Sequence, residues 1–239
     1  MTLPVINAPI YDLTLPIKNE KVKFRPFNVK EQKILMIALE SNDINFINDN
    51  IREVIKSCCV SKLDVDSLST TDTEYFFLQL RARSIGEAIS PKYLCKNTID
   101  NEVCDNPMEL NINVLDVDVD LNGYTDIINL DSELGLKMKH PNFDISKNFS
   151  SDKRLADITT EIIADCVEYV FDSEKLYYRD EFTKKELVDW LDLLNNDQYE
   201  KIAEHFTHLP KLKKEINNTC SKCGFEHTIV LEGLQNFLV

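Results

Sequence analysis

The sequence predicts an α+β protein, and three observations predict it. Segments in which apolar and polar residues alternate, punctuated by proline, occupy the start, the middle and the end of the chain. Between them lie two blocks, residues 28–88 and 152–209, whose apolar residues recur at helical spacing. The last alternating segment contains two cysteines two residues apart, followed by glycine.

In the first segment Pro4, Pro9, Pro16 and Pro26 exclude a helix. Tyr11, Leu13 and Leu15 alternate with Asp12 and Thr14, and Val22 and Phe24 with Lys21, Lys23 and Arg25, so a hairpin turning at Lys18-Asn19-Glu20 is expected. Asn28 is the expected N-cap of a first helix, with Glu31 at the capping-box position and a stripe of Ile34, Leu35, Ala38 and Leu39. Asp43 caps a second, striped by Ile44, Ile47, Ile51, Val54 and Ile55. A third starts after Ser69-Thr70-Thr71-Asp72, runs to about Ala88 and buries Tyr75, Phe76, Leu78, Leu80 and Ile85. Residues 1–89 thus read as one domain, a β-hairpin with a helical bundle.

Residues 90–239 read as a second domain of short central strands and C-terminal helices, its helical block 152–209 inserted into a β segment. Leu110, Ile112 and Val114 alternate with polar residues, as do Val117, Val119 and Leu121, and Leu134, Leu136 and Met138. In the block, Ser151 or Asp152 caps a helix carrying Leu155, Ile158, Ile162, Ile163, Val167 and Val170. Thr183, with Glu186 closing a capping box, starts a helix carrying Leu187, Trp190, Leu191 and Leu194. Asn195 or Asn196 starts one carrying Tyr199, Ile202, Ala203 and Phe206 that stops before Pro210.

Of 239 residues, 27 are basic and 41 acidic, a formal net charge of −14. Acidity on this scale opposes binding to nucleic-acid backbone and to anionic lipid, and favours partners with basic patches. Five glycines leave no phosphate-binding loop, and no hydrolase, metalloprotease or Walker motif is present. Met1–Asn7 has no signal-peptide pattern, and no run approaches the roughly 18 apolar residues a membrane helix needs. A soluble, non-enzymatic protein that folds in a cytoplasm is expected, its seven cysteines serving as thiols or metal ligands.

Cys220-Ser221-Lys222-Cys223-Gly224 has the form of a metal knuckle: the turn converges two thiolates on one ion, and the glycine accepts the tight backbone. A closed zinc site needs four ligands, and Cys95 and Cys104 supply the second pair, each pair being followed by an alternating strand. Their eight intervening residues, Lys96–Val103, exceed the usual two to four and read as an extended knuckle loop. The expectation is a structural Zn2+ ribbon of Cys95, Cys104, Cys220 and Cys223. Its alternatives are four unrelated thiols, or a redox pair of Cys220 and Cys223 at a helix start. Cys58, Cys59 and Cys166 read as small buried hydrophobes. His205 and His208 read as favourable charge at a helix C-terminus rather than as a metal pair, and His227 as a neighbour of the knuckle rather than a substitute ligand. Asp116, Asp118 and Asp120 lack the glycine and closing glutamate of a calcium loop and read as the wet face of a strand.

Several apolar words add a resemblance. The Leu3-Pro4 start, Val22-Lys23-Phe24-Arg25-Pro26-Phe27, the helix Val29-Lys30-Glu31-Gln32-Lys33-Ile34-Leu35, Leu136-Lys137-Met138-Lys139-His140-Pro141 and the acidic helical block before the knuckle are together similar to the T4-type bacteriophage baseplate proteins, in particular the baseplate hub subunit and hub assembly protein family. The resemblance covers nearly the whole chain. It implies a tail-assembly role in the host cytoplasm, as a structural or chaperone-like protein that contacts other phage tail and baseplate proteins, with no catalytic residue. The competing class is a zinc-ribbon nucleic-acid-binding or redox protein, for which Lys211, Lys213, Lys214 and Lys222 offer a small basic patch.

Overall fold

The structure, a computed structural model, describes Pro4 and residues 6–148 and 155–238. The chain divides into two compact units, Met1–Asp120 with Lys211–Val239, and Leu121–Pro210. The inserted unit therefore starts at 121 rather than 152, and the segment up to 120 belongs with the C-terminal one.

The first unit opens with the expected hairpin. β1 (Tyr11–Thr14) pairs antiparallel with β2 (Lys21–Phe24), Leu13 facing Val22. Val22 and Phe24 are buried while Lys21 and Lys23 are exposed, as alternation requires. α1 (Val29–Glu40) starts at Asn28 with the capping box closed by Glu31. Glu31 also binds across to the second helix: Arg25 Nη2 and Ser57 Oγ donate to its Oε1 at 2.8 Å each, and the Asn28 N–H to its Oε2 at 2.9 Å. Burial opposes the charge, but these donors, Arg25 foremost, hold its carboxyl down at about 2.

α2 (Ile44–Cys58) is capped by Asp43, as the sequence predicts; α3 (Thr70–Ile85) is capped by Ser69, so it starts within the Ser69–Asp72 stretch rather than after it and stops at Gly86, short of Ala88. Ile51, Val54 and Ile55 of α2 and Phe76, Phe77, Leu78 and Leu80 of α3 form the core with Leu15 and Phe24. Ile85 is exposed and Leu39 nearly half exposed, so neither is the core residue the helical stripe predicts. Asp72, 1% exposed, receives the N–H groups of Ile17 at 2.8 Å and Lys18 at 2.9 Å, one on each oxygen, and so fastens the hairpin turn to the start of α3.

The chain then runs through β3 (Ala88–Ile89), β4 (Lys92–Leu94), β5 (Thr98–Ile99), β6 (Glu102–Val103), β7 (Pro107–Glu109) and β8 (Ile112–Asn113) to β9 (Asp118–Asp120). Leu110, Ile112 and Val114 are buried as alternation predicts, although Val114 lies in a 3-10 turn and not in a strand.

The inserted unit is a four-stranded antiparallel sheet with helices. β10 (Ile127–Asn129) and β11 (Gly135–Met138) are followed by α4 (Leu155–Cys166), β12 (Val167–Phe171), β13 (Leu176–Tyr178), α5 (Lys184–Leu191) and α6 (Asn196–Thr207), with strand order β10-β11-β12-β13. The caps at Thr183, with its capping box, and at Asn195 form as read, and Gln198 closes a second capping box at Asn195 that is not among the expectations above; the cap read at Ser151 or Asp152 lies outside the described residues.

One correction is needed: residues 152–209 are not all helical. Val167 and Val170 sit on β12, where Val170 faces Leu136 across the ladder. Val167-Glu168-Tyr169-Val170-Phe171 is β-branched and aromatic, and the Asp172 carboxylate closes the turn by accepting the Glu174 and Lys175 N–H groups at 2.8 Å. The core holds Leu136, Met138, Ile163, Val167, Leu187, Leu191 and Ile202.

A polar cluster sits beside this core. The Tyr124 ring lies 4.5 Å from that of His140 and 5.4 Å from that of His205. Burial holds the His140 imidazole down to about 4, the adjacent His205 acting in the same direction and Asp126 against it. His205 is lowered as well, chiefly by burial.

The return segment is a long hairpin, β14 (Lys211–Thr219) with β15 (Glu226–Glu232), and β9 joins the outer side of β14. On β9 the expected wet face is used: Asp120 pairs with Lys213 at 3.1 Å.

Two outcomes are expected. Asp72→Ala leaves two backbone N–H groups without their acceptor and costs about 3 kcal/mol in urea unfolding. The depressed histidines bind protons more weakly folded than unfolded, so their stabilisation is complete above pH 6.5 and is lost as pH falls toward about 4. Trp190, the chain's one tryptophan, lies in the inserted unit and reports on it. Its fluorescence in urea should show a loss between pH 7 and 5 that His140→Phe reduces by about 2 kcal/mol.

Candidate metal centre

Two antiparallel ribbons carry the four predicted cysteines. The first runs from Ala88 to Asn113 and keeps one register throughout: Ala88 faces Asn113, Tyr93 faces Met108, and Thr98 faces Val103. At its tip Asp100 and Asn101 both take positive φ, 49° and 69°, the pair of left-handed residues that a two-residue hairpin loop needs. The second ribbon is β14–β15, with the turn 220–225 at its tip.

Hydrogen bonds reveal the same knuckle in both. The Cys220 N–H donates to the Phe225 carbonyl at 2.9 Å and the Gly224 N–H to the Cys220 carbonyl at 2.8 Å. Correspondingly, the Cys95 N–H donates to the Asn106 carbonyl at 2.9 Å and the Asp105 N–H to the Cys95 carbonyl at 3.0 Å. Gly224 and Asp105, each following a cysteine, both have positive φ, 71° and 49°. Cys95 thus corresponds to Cys220 and Cys104 to Cys223. The long spacing has a simple cause: Thr98–Val103 is a small hairpin inserted into a two-residue knuckle, its base closed by the Cys104 N–H on the Asn97 carbonyl at 2.8 Å.

The four sulfurs converge. All lie within 4.8 Å of one another, and among the described residues no other cluster of three or more such ligand side chains forms. Cys95 and Cys223 are 3.6 Å apart and Cys104 and Cys220 3.9 Å. Four thiolates on a tetrahedral zinc at about 2.3 Å would be about 3.8 Å apart, so the set fits that ion. The separations are far beyond a disulfide bond of about 2.05 Å, and all seven cysteines are free.

The local electrostatics are uneven. The Cys223 backbone N–H draws the Cys220 thiol down to about 6 against its burial, helped by the Lys222 N–H. Burial pushes the Cys95 thiol up to about 12 against the Asn97 N–H, and the other three sulfurs push the same way. Four thiolates cannot gather here without a cation to neutralise them, which is the condition a divalent metal meets.

The remaining candidates lie elsewhere. Cys58 and Cys166 are fully buried as read, and Cys59 is half-buried at the end of α2. His208 does cap α6, donating from Nδ1 to the Glu204 carbonyl at 2.8 Å. His205 departs from the expectation: it is buried, hydrogen-bonded to the Thr125 carbonyl at 3.0 Å and driven toward neutrality. Three of the four lysines of the basic patch are engaged within the chain, Lys213 with Asp120, Lys214 with the Asp116 carbonyl and Lys222 with the Cys104 carbonyl. Cys220 follows a strand and precedes β15, so the helix start that a redox pair would use is missing. Reading the sequence missed Asn97 and Asn106, whose side-chain amides point at Cys223 and Cys220 at 3.7 and 3.5 Å. Only the corrected knuckle alignment, which puts both beside a ligand position, would have shown them.

The family described as T4 bacteriophage base plate protein matches residues 8–239. The chain belongs to that family. No curated protein and no solved structure matches it. For this phage baseplate protein, the matched span takes in both units and all four clustered cysteines. Among its described residues no helix is long and apolar enough to cross a membrane.

If the inserted hairpin is separable from the knuckle, deleting Thr98–Val103 leaves Cys-Lys-Asn-Cys-Asp and preserves the centre. The shortened chain is expected to take up Co2+ with the same thiolate-to-metal absorption as the full chain. A lost or weakened band would show that the hairpin is part of the knuckle's architecture.

Proposed function

We propose that this chain is a non-enzymatic component or assembly factor of the phage tail baseplate hub, working through protein–protein contacts and stabilised by structural Zn2+. The family match over nearly the whole chain carries this reading. The zinc would be held by Cys95, Cys104, Cys220 and Cys223. Four protein ligands leave no open position for substrate, so the metal's role is to clamp two ribbons that are remote in sequence. Hub assembly would take place in the host cytoplasm, with other tail and baseplate proteins as partners. The net charge of −14 favours partners with basic surfaces.

One contact surface suggests itself. β2 is bridged to residues 58–61, with the Val60 N–H on the Lys23 carbonyl at 2.7 Å, whereas β1 has β2 as its only ladder partner among the described residues. Ile6 and Ile10, just before β1, are 94% and 56% exposed. An open edge flanked by exposed apolar residues suits strand addition from a partner. Removing residues 1–27 would test this poorly, because Leu15, Val22 and Phe24 belong to the core.

The decisive experiment is complementation. A phage lacking this gene is grown in cells that supply the chain, and purified tails are analysed by mass spectrometry. Plaques that require the chain, with the chain present in tails, mark a component; plaques that require it while tails lack it mark an assembly factor. A phage that assembles normally without the gene overturns the reading. In the same assay Ile6→Asp with Ile10→Asp is expected to cut complementation at least tenfold while the thermal melt is unchanged. Protein purified without tags or added metal is expected to carry about one zinc per chain, and Cys223→Ser to lose it together with cooperative unfolding.

A further inference from the structure

We propose that His227 is a positioning residue of the four-sulfur centre, donating from Nε2–H to the Cys95 sulfur as one arm of a shell in which each ribbon holds the other's thiolates. The inference rests on the metal reading above and assigns the chemistry around the ligands.

His227 Nε2 lies 3.1 Å from Cys95 Sγ. Two ligands of one tetrahedral zinc, a sulfur at about 2.3 Å and a nitrogen at about 2.05 Å, would be about 3.6 Å apart. The observed distance is that of a hydrogen bond, and the four sulfurs already complete the set. The ring is fixed from two sides: Tyr93 of the first ribbon meets it edge-on at 6.0 Å and 63°, and Phe225 of the second at 4.8 Å and 66°. Its place on β15 is set by the ladder, opposite Asn218.

The wider pattern is reciprocal. From the first ribbon, Asn97 Nδ2 reaches Cys223 Sγ at 3.7 Å, and Asn106 Nδ2 reaches Cys220 Sγ at 3.5 Å and Ser221 Oγ at 3.2 Å. From the second, His227 reaches Cys95, and Lys222 Nζ donates to the Cys104 carbonyl at 3.1 Å. A dication with four thiolates keeps a net charge of −2, and N–H donors aimed at the sulfurs spread that charge and fix the ligand rotamers. Because each of these side-chain donors crosses from one ribbon to the other, the shell also ties the knuckles together directly. Sulfur accepts only weakly, so the shell's effect falls on how long the metal is held rather than on which ligands hold it.

The test uses the full chain loaded with Co2+ and challenged with excess chelator. His227→Phe is expected to keep the absorption of four thiolates while releasing the metal about tenfold faster or more, and His227→Gln, which retains an N–H donor, to release it at an intermediate rate. Release from His227→Phe at the wild-type rate overturns the proposal. So does a wild-type spectrum of three sulfurs and one nitrogen, which would make His227 a ligand. A chain that takes up no Co2+ overturns the metal reading itself, an outcome distinct from both. A measurement on the zinc-loaded wild type avoids any folding defect in the variants: nitrogen NMR of the imidazole should find the proton on Nε2, and a proton on Nδ1 alone overturns the assignment.

Discussion

The constraint on which the first unit depends is the convergence of two ribbons whose cysteines are 128 positions apart, Cys95 with Cys223. Loop closure over such a span costs chain entropy that a few apolar contacts at a hairpin tip cannot offset. The ribbons also expose much of their flanks: Leu94, Ile99, Val103 and Phe225 are all about half exposed. Little hydrophobic core exists at this end, whereas the helical end buries Phe24, Phe76, Leu78 and Leu80 together. A metal held by the four clustered sulfurs would be the kind of cross-link that holds a region with little core of its own. The same geometry explains how a whole unit can interrupt the chain. Asp120 faces Lys211 across the β9–β14 ladder, so the first unit's chain is continuous in space where residues 121–210 leave and re-enter it. Insertions are tolerated at points of this kind because their ends are neighbours already.

Much of this fold was legible in the sequence, and the legible parts share a cause: their signals are local. Asn28 with Glu31 and Thr183 with Glu186 are capping boxes closed within three residues, and both form. The hairpins at 11–24 and 211–232 follow from alternation over single strands. The knuckle at 220–223 follows from a five-residue motif. What failed to show was non-local. Val167 and Val170 extend the apolar spacing of α4 for one more turn, so they read as helix. Only pairing with β11, which precedes α4 in the chain, makes Val167–Phe171 a strand. Likewise the six residues that separate the halves of the first knuckle are recognisable as a hairpin once Asp100 and Asn101 are seen in the left-handed region. In the sequence they are simply a longer gap.

The charge distribution carries a second lesson. The chain is strongly acidic, yet its β14 lysines do not form a free basic face. Lys213 is drawn to Asp120 on the neighbouring strand, and Lys214 to a backbone carbonyl of the same segment. The acidic alternation on β9 that a sequence scan compares with a calcium loop is therefore the counter-charge of an adjacent strand. Such half-exposed pairs add little stability individually. Their effect is on register, because Asp118 and Asp120 next to lysines favour this alignment of β9 over a slipped one.

Backbone conformation shows how the fold manages with five glycines. Five other described residues take positive φ, Asn19, Asn42, Asp100, Asn101 and Asp105, and all are asparagine or aspartate. These side chains tolerate the left-handed region best after glycine. Each marks a place where the chain must turn sharply: the first hairpin loop, the link from α1 to α2, the small inserted hairpin and the first knuckle. The two knuckles thus solve one backbone problem with different residues, Gly224 in one and Asp105 in the other. That substitution hides their equivalence from a motif search built on cysteine followed by glycine. The hydrogen bonds reveal it, since the N–H after the second cysteine returns to the carbonyl of the first in both. The knuckle turn is therefore defined by its backbone path and its sulfurs, and the spacing of cysteines along the chain is a consequence of what is inserted between them.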